Sequence, residues 1–210
     1  MGHLRHGYTN STIGDGFFVV KCYEGPGAEA RLKTERTMLR RYKGRLPVPA
    51  LVRESGSSLT TRFVTGEHGQ DLIEEGRAAE VLAACGRLLQ RIQSMPARSG
   101  KVLVHGDFGP QNLLLEPETL LDWEWAHLGD PVEDLAWCEW IVRTHHPEHV
   151  AALPYLFEAY GGEVPAWADR QAAMLARCEE LADFCGRWEP GGPGEKEWRA
   201  RIEATASWAA

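Results

Sequence analysis

His105-Gly106-Asp107-Phe108-Gly109-Pro110-Gln111-Asn112, followed by Leu120-Leu121-Asp122-Trp123-Glu124, is the stretch on which the reading of this chain turns. Asp107 and Asn112 lie five residues apart in a segment broken by Gly and Pro. Asp122 follows an apolar hairpin pattern, Leu113-Leu114-Leu115 and then Leu120-Leu121. This order supplies one carboxylate that can orient an attacking hydroxyl. It then supplies an amide oxygen and a second carboxylate that can hold magnesium ions bridging a nucleotide's phosphates. Taken singly, each residue is more commonly a turn cap or the end of a hairpin. Together, in this order and spacing, they point to phosphoryl transfer.

Upstream, Gly14-Asp15-Gly16 reads as the turn of a hairpin, and residues 17–23, rich in β-branched and aromatic side chains, read as a strand that carries Lys21. Residues 28–42 have the spacing of an amphipathic helix behind Gly25-Pro26-Gly27. Glu35 lies in the middle of that helix beside Leu32, Met38 and Leu39, which favours it over Glu24 and Glu29 as the partner of Lys21. A lysine held by such a pair is the fixed cation that the α and β phosphates of a nucleotide require. Each residue alone would be an ordinary solvated charge. The loop at residues 7–12 offers backbone amides and small polar groups, with Asn10, Ser11 and Thr12 placed to lie over phosphates. No GxxxxGK or GxGxxG pattern occurs, which disfavours a P-loop or a dinucleotide-binding fold.

Residues 50–53 and 59–64 read as two further strands about the turn Gly56-Ser57-Ser58. After Gly66 the pattern becomes helical, with residues 77–95 leading through a loop at 96–101 into Val102-Leu103-Val104. Beyond Pro131 the candidate helices are 132–142, 147–160, 167–187 and 196–207. The expected fold class is therefore α+β in two lobes: residues 1–66 with an antiparallel β-sheet and one helix, and residues 67–210 mainly α-helical.

The chain has 210 residues, 43% hydrophobic and 25% charged, enough for a sizeable core. A net charge of -7 argues against nucleic acid or an anionic membrane as partner. Five cysteines without a CxxC pair read as reduced thiols, and no apolar run approaches signal-peptide or membrane-spanning length, so a cytoplasmic protein is expected. Glu133, Glu139, Glu148, Glu158, Glu179, Glu180 and Asp183 give the C-terminal helices an acidic bias, and Trp123, Trp125, Trp137, Trp140, Trp167 and Trp188 add aromatic surface. A cationic acceptor would suit both, the plainer account being solvated helix faces and core indoles. His145-His146-Pro147-Glu148-His149 reads as a loop and helix start rather than a zinc site.

The string His105-Gly106-Asp107 to Asn112, then Leu121-Asp122-Trp123-Glu124, then Gly129-Asp130-Pro131 to Asp134-Leu135-Ala136 resembles the aminoglycoside phosphotransferase and choline kinase family, over the span from Gly7 to Trp140. The resemblance implies a protein-kinase-like fold with ATP and Mg2+ bound between the lobes and a small-molecule hydroxyl as acceptor. It implies Asp107 as catalytic base, Asn112 and Asp122 as magnesium ligands, and Lys21 with Glu35 as the phosphate-binding pair. The backbone of Arg62, Phe63 and Val64 becomes the adenine-binding hinge, and Asp130 and Asp134 become supports of the catalytic loop and the helix start. Many drug-modifying relatives carry a longer helical insertion where this chain has only residues 96–101, so a metabolic kinase of choline, amino sugar or homoserine type stands as the alternative. Only seven residues separate Asp122 from Asp130, and no Ala-Pro-Glu follows, which leaves no activation loop for a protein substrate. A catalytically silent nucleotide-binding module would be expected to lack Lys21, Asp107, Asn112 or Asp122, and all four are present.

Overall fold

The computed structural model describes residues 2–3, 10–97 and 100–209. Its N-terminal lobe is an antiparallel five-stranded sheet made by β1 (Gly2–His3), β2 (Asn10–Gly14), β3 (Phe18–Tyr23), β4 (Leu51–Ser55) and β5 (Ser58–Arg62), in the spatial order β1-β2-β3-β5-β4. The β2–β3 turn is closed by Asp15, whose Oδ1 accepts the N–H groups of Phe17 and Phe18 at 2.9 and 2.8 Å. That turn sets a register in which Thr12 lies opposite Lys21. Residues 10–12, expected in a loop, are thus part of strand β2: their N–H and C=O groups pair with β3, and the Asp15 turn extends the hairpin further than the small polar residues suggested. The remainder of the expected loop, Gly7 to Thr9, lies outside the described residues. The strand expected to reach residue 64 ends at Arg62.

Helix α1 (Ala28–Arg41) buries Arg31, Leu32, Glu35 and Leu39, one helical face. Leu32 packs with Tyr23 and Leu59 against the sheet. Two charged residues on that inward stripe require partners, since an unpaired buried charge is costly.

The C-terminal lobe contains β6 (Glu67–His68), α2 (Gly69–Glu74), α3 (Ala78–Gln93), β7 (Val102–Val104), β8 (Leu113–Leu115), β9 (Thr119–Leu120) and β10 (His127–Gly129). After them come α4 (Val132–His145), α5 (Leu153–Tyr160), α6 (Trp167–Trp188) and α7 (Pro193–Ala206). Strands β6, β8 and β9 form one small antiparallel sheet, and β7 pairs with β10. The expected helix over 147–160 is broken into a three-ten segment, Pro147–Ala152, and α5. Pro154 has no N–H to continue an α-helical ladder, so the helix restarts there. Helix α7 begins at Pro193 rather than 196, because proline fits the first turn, where no N–H donor is required. The two-residue β6 and six-residue α2 are too short to leave a periodic trace in sequence.

Val81, Leu82, Cys85, Leu88, Leu89 and Ile92 on α3 are fully buried and form one core with Leu103, Phe108, Leu113, Leu120 and Trp123. Each such side chain contributes about 1.5–3 kcal/mol by leaving water. Gly86 admits α5 to this face, since a Cβ there would stand 2.4 Å from the Leu156 carbonyl oxygen. The core thus lies directly beneath the 105–124 segment and fixes its backbone. A second cluster joins α4 to α6 through Trp137, Trp140, Met174 and Cys178. All five cysteines are free thiols, and among the described residues no helix is long and apolar enough to cross a membrane.

Candidate active site

Strand β7 delivers the chain to His105, whose ring is completely buried. Its Nε2 lies 2.9 Å from the Leu121 carbonyl, and its Nδ1 accepts the Asp107 N–H at 3.2 Å. The proton therefore sits on Nε2, and the ring ties the turn at 105–107 to the strand end at 121. Burial keeps this imidazole neutral, with its pKa pushed down to about 3. Gly106 has φ +83°, and a Cβ there would meet the Trp125 carbonyl oxygen at 2.6 Å, so only glycine fits. From the first turn of α4, the buried Asp134 accepts the His105 N–H at 2.6 Å and the Gly106 N–H at 2.9 Å. Its burial raises the carboxyl pKa to about 6. Asp130, implied as a second support, is exposed and binds Lys101 at 3.0 Å. It lies outside the buried turn that Asp134 reaches, so among the two only Asp134 holds the loop.

Asp107 accepts a short side-chain hydrogen bond at each of its two oxygens. Asn112 Nδ2 donates to Oδ2 at 2.8 Å, and Trp137 Nε1 donates to Oδ1 at 2.9 Å. Asn112 Nδ2 also donates to the Asp107 carbonyl at 2.8 Å, while its backbone N–H closes the three-ten turn Pro110–Asn112 on the Gly109 carbonyl at 3.1 Å. With its nitrogen committed, Asn112 has its amide oxygen to offer a cation. Burial, and then the neighbouring charge of Asp122, raise the Asp107 pKa to about 6.

Lys21 Nζ lies 2.8 Å from Glu35, 2.5 Å from Asp122 and 3.3 Å from Glu124. Burial would lower its pKa, but these three carboxylates outweigh burial and raise it. Asp122 reaches Lys21 from a left-handed backbone, φ 61° and ψ 61°, which is uncommon for a residue with a side chain and recurs at functional sites. Glu35 also accepts the Tyr23 hydroxyl; burial raises its pKa while Lys21 opposes the rise. Oxygens of Glu35, Asp122 and Glu124 all fall within 4.8 Å of one another, a group whose chemistry suits a hard divalent cation.

Two residues went unassigned in sequence. Glu124, in the three-ten turn Trp123–Trp125, is 1% exposed at its side chain and receives Arg31 Nη1 at 3.0 Å and Asn10 Nδ2 at 2.8 Å. Arg31 also donates to Asn10 Oδ1 at 3.1 Å, and its guanidinium lies over the rings of Trp125 and Phe184. The available signal was the i, i+4 spacing of Arg31 and Glu35, which puts both on the face of α1 that meets the second lobe. Through these contacts α1 is docked against the turn that follows Asp122.

Between the lobes lies a cleft of about 400 Å³. Asn10, Thr12, Lys21 and Glu35 line one side, Asn112 and Asp122 another, and Arg62, Phe63 and Val64 the end reached by β5. Ser11 is not among the lining residues: strand alternation turns it to the opposite face from Asn10 and Thr12. A second cavity, of about 700 Å³, opens beside Gly106 and Trp137 and is lined by Asp130, Glu133, Asp134, Asp169, Arg177 and Glu180, with three alanines of α6. Several acids expected to face an acceptor are engaged within the fold. Glu139 is buried between Arg143 and Arg170 at 2.9 and 2.7 Å, and Glu133 binds His127 at 2.8 Å. Trp123 and Trp140 are core rather than surface. Among the described residues no metal-ligating group forms at His145, His146, Glu148 and His149.

A β-sheet lobe with one docked helix, packed on a helical lobe across a cleft that collects a lysine, an asparagine and several carboxylates, defines the protein-kinase-like fold. Residues 94–181 match the model of the phosphotransferase enzyme family. The fold is that of the aminoglycoside phosphotransferases. The chain superposes on APH(4)-Ia, in the apo form of a thermostable mutant, with TM-score 0.73 at 16% identity, covering 97% of this chain and 92% of that one. It superposes on the GDP and kanamycin complex of APH(2")-IIia with TM-score 0.72 at 14% identity, covering 98% and 92%. Over 76 residues it is 40% identical to acyl-CoA dehydrogenase family member 10 of Mus musculus, a match that covers 32% of this chain and 7% of the mouse protein.

Proposed function

We propose that this chain is an ATP- and magnesium-dependent kinase that transfers the γ-phosphate to a hydroxyl of a small molecule. The observation that carries the reading is the convergence of Lys21, Asn112 and Asp122 on one inter-lobe cleft, with Asp107 hydrogen-bonded to the Asn112 that lines it. In this reading Asp107 orients the acceptor hydroxyl and takes its proton late, as loose phosphoryl-transfer transition states require little nucleophile activation. Lys21, held by Glu35, neutralises α and β phosphates. Asn112 and Asp122 would hold the metal, and the oxygen-rich donor set around Asp122 fits it. Magnesium, when bound there, would supply positive charge that offsets the charge developing on the transferred phosphoryl group. Arg62, Phe63 and Val64 would receive the adenine, with Asn10 and Thr12 beside the phosphates. Ser11 drops out of that set.

The second cavity, lined by Gly106 and by the Trp137 that donates to Asp107, is the proposed acceptor site. Its carboxylates outnumber Arg177 and His127, and Asp169 is exposed at its wall, which favours an acceptor with a positive charge. An ADP-release screen over aminoglycosides, amino sugars, choline and hydroxy amino acids tests the proposal, with Asp107→Asn as control. No acceptor-dependent release with any class, together with no thermal stabilisation by MgATP, would overturn it.

A further inference from the structure

We propose that Trp137 is a positioning residue for Asp107; this rests on the reading of Asp107 as the base. A carboxylate is broad and roughly two-fold about its terminal torsion, so one donor does not fix its plane. Asn112 holds Oδ2 and Trp137 holds Oδ1, at 2.8 and 2.9 Å, from two different elements. The third candidate donor, Gln111 Nε2, stands at 3.5 Å, the limit of a hydrogen bond. Trp137 is therefore the donor that sets the orientation of the oxygen Asn112 does not reach.

The indole is itself held rigid. It stacks on Trp140 with ring centroids 4.4 Å apart and planes 4° from parallel, and Trp140 stacks on Trp198 of α7 at 5.5 Å. Trp140 Nε1 donates to the buried Thr205 Oγ1 at 2.8 Å, which pins the stack from behind. A purely structural indole satisfies its N–H on a nearby carbonyl, as Trp123 does on Leu120. Trp137 points its N–H into the carboxylate instead. A neutral donor suits that place, because it fixes the base without taking up its negative charge and demands no reorganisation during transfer. Helix α7 thereby braces the catalytic loop through Trp198, Thr205 and Trp140, none of which lines either cavity.

Trp137→Phe keeps a ring in the stack and removes the donor. A hydrogen bond to a charged group gives the expected scale: kcat for ADP release should fall about tenfold to a hundredfold. KM for MgATP and the thermal midpoint should stay near wild type. Turnover is read with the acceptor found in the screen above, or with water where none is found. Wild-type kcat in Trp137→Phe, with Asp107→Asn inactive, overturns the positioning role alone; full turnover in Asp107→Asn overturns the reading beneath it. The indole N–H resonance of Trp137, assigned by triple-resonance NMR, supplies a measurement independent of turnover. It should move upfield in Asp107→Ala, where its acceptor is gone, and an unchanged position overturns the proposal.

Discussion

Replacing Lys21 by methionine removes a cation that faces three carboxylates at once. The lysine and its partners are largely buried, with side-chain exposures of 14% for Lys21, 9% for Glu35, 30% for Asp122 and 1% for Glu124. Breaking a buried ion pair from one side typically costs 3–5 kcal/mol, because the remaining charge is left uncompensated. Arg31 stays on Glu124 and the Tyr23 hydroxyl stays on Glu35, so the lower end applies, about 3 kcal/mol. The sign of the pH dependence follows from Glu35. Burial already raises its pKa, and losing Lys21 raises it further. Between the unfolded and folded pKa values the native state then binds more protons than the unfolded state, so stability falls as pH rises through that window. Urea unfolding of Lys21→Met should therefore show a loss of about 3 kcal/mol near pH 8 that shrinks toward pH 5. Once the lysine is gone, the carboxylates within 4.8 Å of one another become a better cation site. Magnesium without nucleotide should stabilise the variant more than wild type, by about 1.4 kcal/mol at ten times its dissociation constant. A variant as stable as wild type, or equally destabilised at both pH values, refutes the reasoning.

Asp107→Asn should lower turnover by about 10²- to 10⁴-fold and leave MgATP affinity, read by calorimetry, nearly unchanged. Arg31→Met removes the nearer of two cations from the buried Glu124, leaving Lys21 at 3.3 Å, and removes the α1 docking contact; it should destabilise the chain by about 3 kcal/mol in thermal unfolding. His105, with its pKa pushed from 6.5 down to about 3, stays neutral in the fold while the unfolded chain takes a proton. Its contribution to stability is thus lost as pH falls below 6.5, by about 2 kcal/mol near pH 5. The acid sensitivity of wild type minus that of His105→Gln isolates this effect, since the raised pKa values of Asp107 and Asp134 act with the opposite sign in both proteins.

Much of the candidate site is readable where chain order is enough. Lys21 on a strand and Glu35 on the next helix are neighbours because one connection joins them, and the fold brings their side chains to 2.8 Å. Asp107 and Asn112 share one short turn, so their meeting is local as well. Glu124 and Arg31 were not readable, because their pairing joins elements far apart in the chain and each, alone, resembles an ordinary surface charge. Trp137 reads in sequence as aromatic surface or as a core indole: periodicity places an indole on a helix face but says nothing about where its N–H points.

The sequence by itself determined the kinds of element and their order, because hydrophobic period, turn residues and the glycine at 106 act over a few residues. It also determined which groups for phosphoryl transfer the chain owns. Only the tertiary structure decided which polar groups are spent on each other: Asp130 on Lys101 at the surface, Glu139 on two arginines, Ser11 on the far face of its strand, and Trp137 on Asp107. The physical reason is burial. A charge or a donor taken out of water must find a partner, and the partner that the packed lobes bring within 3 Å is set by how the helices cross, which no local pattern encodes.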